Sequence, residues 1–272
     1  MRINTNLNAM VATNQMAKNT ALSGKSMEKL STGLRITKAG DDAAGLAVSE
    51  KMRAQIRGME QADRNVQDGI SMVQTAEGAL QEAGNIAQRM RELGIQAGND
   101  TLASTDRDKI KTELTQLYEE MGKIGEETKF NGKSLLGSKN DFTIQAGANS
   151  ETRSIKTVDL GKTLSTIATN SKAIDIDGND KATKFVANVD KALEEINTGR
   201  ATLGATQNRL ECTSSNLTTS TENLTAAESR IRDIDVAKEM VKLSKLNILT
   251  QASQAMVAQA KQQPESVTQL LR

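Results

Sequence analysis

The chain has 272 residues with nearly balanced charge (35 Lys and Arg against 34 Asp and Glu, net +1), no His, one Cys and one Pro. Without His, and with Cys212 alone, neither a Cys/His metal cluster nor an internal disulfide can form, and no basic block is present to track a nucleic-acid backbone. Tyr118, Phe130, Phe142 and Phe185 are its only aromatic residues, too few for the ring-centred core of an ordinary enzyme, so Leu, Ile, Val, Met and Ala must pack in thin seams.

Proline breaks helix interiors by removing a donor and clashing with the preceding turn. At about 5% usage roughly thirteen would be expected, and this chain has only Pro264. Long helices are therefore permitted. The first stretch carries Ile3, Leu7 and Met10, then Met27, Leu30 and Leu34, which reads as a narrow-striped amphipathic helix. Gly33, Gly40, Asp41, Asp42 and Gly45 are turn and cap chemistry and read as a spoke between two sections, with Arg35 and Arg53 in ion pairs beside it. Asp41 and Asp42 have no third ligand type nearby, so a metal is not expected there.

From Val66 through Val73, Leu80, Ala87, Leu93 and Ala97 the apolar steps recur at three or four, and Gly98, Asn99 and Asp100 stop the helix. Ile110, Leu114, Leu117, Met121 and Ile124 predict a shorter helix, capped by Thr105 or Asp106. The middle differs in kind. Phe142, Ile144 and Ala146 alternate, Gly147, Ala148 and Asn149 form a turn, and Ile155 to Leu160 is a second candidate strand.

The strongest pattern follows. Val189, Ile196, Leu203, Leu210, Leu217, Leu224 and Ile231 stand at unbroken heptad spacing, with Ala192, Gly199, Thr206, Thr213, Ser220 and Ala227 among the small residues three places on. A seam of alternating bulk and smallness predicts a straight helix, about 63 Å long, lying close against another helix. Cys212 is expected to be a small packing residue of that rod. At Ile231 the phase slips: Lys238 takes the next apolar position and the stripe restarts at Ile234, Val241, Ile248 and Ala255. This predicts a joint near 231–236, with Asp233 and Asp235 as caps, and a terminal helix that Pro264 interrupts.

The fold class expected is mainly α: an elongated antiparallel helical hairpin or coiled-coil bundle with a small β-hairpin region at mid-chain. An elongated core buries less per residue than a sphere, so the termini are expected to need partners for stability. No apolar run of signal-peptide or membrane-spanning length opens the chain.

Some segments are more specific. Met1-Arg2-Ile3-Asn4-Thr5-Asn6, Leu30-Ser31-Thr32-Gly33-Leu34-Arg35-Ile36 and Asp41-Asp42-Ala43-Ala44-Gly45-Leu46-Ala47 lie near one end. Ala226-Ala227-Glu228-Ser229-Arg230-Ile231-Arg232-Asp233 and Gln262-Gln263-Pro264 lie near the other. In order and in distance from the termini these resemble bacterial flagellin. The resemblance implies a structural subunit of the flagellar filament, exported unfolded through the type III apparatus without a cleaved signal and folding as it polymerises outside the cell. It implies inner-tube parts at 1–43 and 233–272, rod-like parts at 44–135 and 183–232, and a small variable region at 136–182.

Implied partners are other copies of the chain, an export chaperone at the C-terminal helix, the filament cap, hook-associated junction proteins and Toll-like receptor 5. Neither nucleic acid nor membrane insertion is implied, nor is any cofactor, metal or catalytic residue. Subunit packing is expected at Ile3, Leu7, Met10, Ile234, Val241, Ile248, Leu270 and Leu271, and receptor contact at Gln88, Arg89, Leu93 and Glu113. A hook–filament junction protein would share the terminal helices but lack the segments around Arg89 and Ser229. A signalling coiled coil would need a membrane span or docking domain, and a zinc-protease variant would need His.

Overall fold

A computed structural model describes residues 6–138, 140–167 and 176–270, with side chains described as far as residue 262. Helices α1 (Leu7–Thr32), α2 (Ala43–Ala97) and α3 (Ser104–Glu127) come first. Short strands β1 (Lys129–Phe130), β2 (Lys133–Ser134), β3 (Asp141–Gln145) and β4 (Thr152–Lys156) follow, then α4 (Leu160–Ile167), α5 (Asn179–Arg232) and α6 (Val236–Leu270). The mainly α class with a small mid-chain β-hairpin is what the apolar periodicities require. The contacts divide the chain into two units, named by place in the sequence alone: an outer unit of residues 1–54 and 223–272 and an inner unit of residues 55–222.

In the inner unit, 55–222, α2 and α5 run antiparallel. Asp63 accepts from Ser214 (2.6 Å), Glu77 pairs with Arg200 (2.9 Å) and Asp190 with Arg91 (2.6 Å). Val66, Val73, Ala76, Leu80, Ala87 and Met90 of α2 are buried, as are Val189, Ile196, Leu203 and Leu210 of α5. A small residue on α5 also admits the segment between β4 and α4: a Cβ on Gly199 would overlap the Val158 side chain. The heptad seam fades toward its end, where Leu217 is 8% exposed and Leu224 and Ile231 are only half-buried. Cys212 is exposed rather than packed, because two residues after Leu210 lie about 200° round the helix from the seam.

Helix α3 folds back beside α2, and its start differs from expectation. Its N-cap is Ala103, with no side-chain cap, and the preceding turn is tied by Arg107, which donates to the carbonyls of Ala97 (3.3 Å) and Asn99 (3.2 Å). The hairpin β3–β4 is antiparallel, with Phe142 opposite Ile155 and Ile144 opposite Arg153. It sits on α2, where Asn65 Nδ2 donates to the Gln145 carbonyl at 3.2 Å. The second strand stops at Lys156, and Leu160 opens α4 instead of ending the strand. Asp159 caps that helix by accepting from the Lys162 amide at 3.1 Å.

The outer unit holds both ends of the chain. Helix α1 stops at Gly33, whose φ of +70° is the left-handed cap that suits glycine. Asp42 caps α2 through the Gly45 amide at 2.8 Å, and Asp41 Oδ2 gathers the Thr37 hydroxyl (3.1 Å) and the Thr37 and Lys38 amides (3.4 Å each), so the acidic pair serves turn and cap. On the returning chain the helix breaks between Arg232 and Val236, where the heptad phase slips. Asp235 caps α6 through the Lys238 amide at 3.1 Å, whereas Asp233 accepts from Ser229.

The two breaks are tied to each other. Leu34 and Asp233 form an antiparallel bridge, with Arg35 N donating to Arg232 O (2.7 Å) and Ile234 N to Gly33 O (3.1 Å). Arg53 pairs with Glu228 at 3.1 Å as expected. Arg35 instead donates through Nε to the Ile231 carbonyl (3.2 Å), closing the C-terminal end of α5, where carbonyls lack helical donors. Pro264 does not interrupt α6, which continues to Leu270. The acceptor that proline leaves free, the Ala260 carbonyl, receives a side-chain donor from Asn6 at 2.6 Å.

Candidate assembly interface

Helices α1 and α6 pack side by side but bury little against each other. The buried residues of α1 are Asn19 and Ser26, both polar. On α6, among the side chains described, Leu246 and Ala260 are buried. The seam is small and hydrogen-bonded: Asn19 Nδ2 meets Ser253 Oγ at 3.3 Å and Ser23 Oγ donates to Asn247 Oδ1 at 3.1 Å. Alongside runs a groove of about 530 Å³, lined by Val11, Ala12, Leu249, Ala252, Met256 and their polar neighbours.

The apolar surface lies outside that seam. Among the described residues thirteen large hydrophobic side chains are exposed, and eleven belong to these two helices. Helix α1 presents Leu7, Met10, Val11, Leu22 and Met27, and α6 presents Val236, Met240, Val241, Ile248, Leu249 and Met256. A single chain rarely leaves so many large apolar side chains of two helices in water, and a helix that is apolar on several sides must be covered on several sides. Of the residues expected to pack between subunits, Leu7, Met10, Val241 and Ile248 are exposed and Ile234 is half-buried. Ile3, Leu271 and the Leu270 side chain lie outside the described residues. Val11, Leu22, Met240, Leu249 and Met256 were missed because a one-stripe reading looks at one face. The adjacent pairs Met240-Val241 and Ile248-Leu249 point about 100° apart and signal a second face.

Electrostatics couple this pair to acid. Ser26 is buried with no well-formed hydrogen bond for its hydroxyl. That hydroxyl faces Glu239 and, followed by Lys242 and Lys29, holds the Glu239 carboxyl below its ordinary value of 4.5 against the opposing effect of burial. Asp235, through the Lys238 amide first, and Asp41, through the Thr37 hydroxyl first, are lowered too. A carboxyl lowered on folding contributes stability that is present above its unfolded value and disappears as pH falls through the folded one. The outer unit is therefore expected to loosen on acidification below about 4.5, and E239Q to flatten that pH dependence. Helical circular dichroism of E239Q and wild-type filaments between neutral and acidic pH checks this; identical profiles would remove Glu239 from the account.

A second cluster lies on α2 and α3. Arg89 donates to Glu113 Oε1 through Nε (3.2 Å) and Nη2 (3.0 Å), and to Glu92 through Nη1 (3.2 Å). Glu113 first, then Glu92, raise the Arg89 pKa further. Gln88, Arg89 and Glu113 are at the surface, but Leu93 is 2% exposed and packs inside the unit. Exposed Ile95, two residues on and so about 200° round the helix from Leu93, is a large apolar side chain at the surface of this part of α2. Among the described residues no group of His, Cys, Asp and Glu could hold a metal, and no helix is long and apolar enough to cross a membrane.

Known proteins match this chain at both of its ends. Residues 3–141 match the bacterial flagellin N-terminal helical region and residues 186–271 the C-terminal helical region. The chain is 53% identical to flagellin of Halalkalibacterium halodurans and 48% identical to flagellin of Bacillus subtilis, in each case over the whole of both chains. Its structure resembles the crystal structure of Bacillus cereus flagellin, with TM-score 0.50 and 34% identity over 61% of this chain and 94% of that one. The junction-protein, signalling and protease readings give way to these matches. With two apolar helix ends awaiting cover and both terminal regions matched, the chain belongs to the flagellins, structural and non-enzymatic subunits of the bacterial flagellar filament.

Proposed function

We propose that the chain leaves the cell unfolded, through the flagellar export channel, and that its two ends become ordered only on joining the filament. The uncovered apolar surface of α1 and α6 carries this reading. Burying Leu246 and Ala260 contributes on the order of 3 kcal/mol. Ordering the backbone costs about 1–2 kcal/mol per residue, over 26 residues of α1 and 35 of α6. Intrahelical hydrogen bonds alone do not close that gap in water, so neighbouring subunits must supply the remaining contacts.

The domain assignment follows: inner-tube parts at 1–43 and 233–272, rod-like parts at 44–135 and 183–232, and an outward variable region at 136–182. Before export a chaperone covers the C-terminal apolar helix. Beyond it, the cap and junction proteins meet the same terminal surfaces, outside the cell. Limited proteolysis of monomer and filament tests the order of events. Both ends should be lost from the monomer within the first cuts and survive in the filament. Resistant ends in the monomer would overturn the reading.

A second reading rests on the exposed Arg89 cluster. We propose Gln88, Arg89 and Glu113 as the surface presented to Toll-like receptor 5, with Leu93 supporting it from beneath. Arg89→Ala is expected to weaken receptor activation by about tenfold or more, the range of an interface anchor, while leaving polymerisation unchanged. Undiminished signalling in a reporter-cell assay would dismiss it.

A further inference from the structure

We infer that Asn6 and Pro264 form a register lock: the sole proline frees one helix carbonyl, and Asn6 reads that carbonyl to fix how the two ends of the chain align. The α1–α6 seam itself specifies alignment weakly. Its buried members are Asn19, Ser26, Leu246 and Ala260, and a seam of mostly small side chains changes little when one helix slides by a turn. A polar contact that can form in only one alignment supplies what shape does not, as a single buried Asn does in coiled coils.

Helix geometry selects the acceptor. In α6 each carbonyl is bonded by the amide four residues on. Pro264 has no amide hydrogen, so the carbonyl four residues before it, that of Ala260, is left without its helical donor. Ala260 is 8% exposed, which restricts rescue by water, and an unsatisfied buried acceptor is costly. Asn6 Nδ2 donates to that carbonyl at 2.6 Å. The same side chain caps α1, its Oδ1 accepting from the Ala9 amide at 3.1 Å.

One short side chain must therefore accept toward its own helix and donate toward the partner. Asn does both; Asp lacks the donor, and Ser keeps the cap but has no amide to reach across. Sliding α1 by one turn would aim Asn6 at a carbonyl already bonded within α6 and leave Ala260 orphaned. The chain has one proline and hence one carbonyl freed in this way.

The test uses filaments of the full chain in four forms: wild type, N6S, P264A and the double variant. In the assembled state the lock can be read whether or not the termini are ordered beforehand, so the proteolysis experiment above can fail independently. N6S is expected to speed depolymerisation at fixed temperature by about tenfold when Pro264 is present, and by less than about twofold in the P264A background, where the restored amide satisfies Ala260. Equal acceleration in both backgrounds, or none in either, would overturn the lock. The carbonyl ¹³C signal of Ala260 in wild-type and N6S filaments gives a second readout, which decides alone if P264A does not assemble. The lock requires an upfield shift on N6S that residues a turn away do not share; an unmoved signal refutes it.

Discussion

Replacing Val241 and Ile248 together by Asp is expected to abolish filament growth while leaving the inner unit folded. Val241 is 72% and Ile248 64% exposed, so neither contributes much to the isolated chain. Their value appears only when another surface covers them. Covering each contributes about 1.5–3 kcal/mol, and an unpaired carboxylate placed there costs several more. The concentration needed for growth on seeds should rise on the order of a thousandfold, since about 1.4 kcal/mol is a factor of ten. Sedimentation of seeded samples measures growth, and the helical signal of the soluble chain reports the inner unit. Polymerisation at wild-type concentrations would show that this face of α6 is not between subunits.

Leu80→Ala is expected to have the opposite profile, a large effect on the monomer. Leu80 is fully buried on α2, and a Cβ built on Gly199 of α5 would lie 3.6 Å from its Cδ1. The seam there is one side chain deep, with few neighbours able to collapse into a void. The loss should fall at about 2–5 kcal/mol, the range for deleting a buried leucine. Urea unfolding of the monomer checks it. Gly199→Val should destabilise by about 1–3 kcal/mol for the reverse reason, because the added methyls occupy the place of Val158. A tolerated Gly199→Val would mean that the Val158 segment moves aside more easily than its packing against α5 implies.

The long helices were legible because their period is long and their seam strict: Val66 to Ala97 and Val189 to Leu217 are buried as spaced. The joint before Val236 was legible from the phase slip at Lys238. What escaped was set by neighbours rather than by local pattern. Leu160 begins a helix because Asp159 caps it, although Ile155 to Leu160 reads equally well as a strand. Pro264 stays within α6 because a side chain 258 positions earlier serves its orphaned acceptor. Leu93 is expected at an exposed contact by sequence yet points inward, since helical spacing alone does not say which face of α2 its neighbours will cover.

In the sequence, residues 55–222 separate the two segments of the outer unit, and this bears on timing. Asn6 meets Ala260 across 254 positions, so the outer pair closes a loop that spans most of the chain. Loop-closure entropy grows only slowly with length, which makes the thermodynamic cost modest, but contacts of such high order form late. A chain emerging from either end presents one partner first and the other nearly last. On the proposed export route the outer helices cannot meet until nearly all of the residues between them have passed, and transit would keep the sticky ends apart.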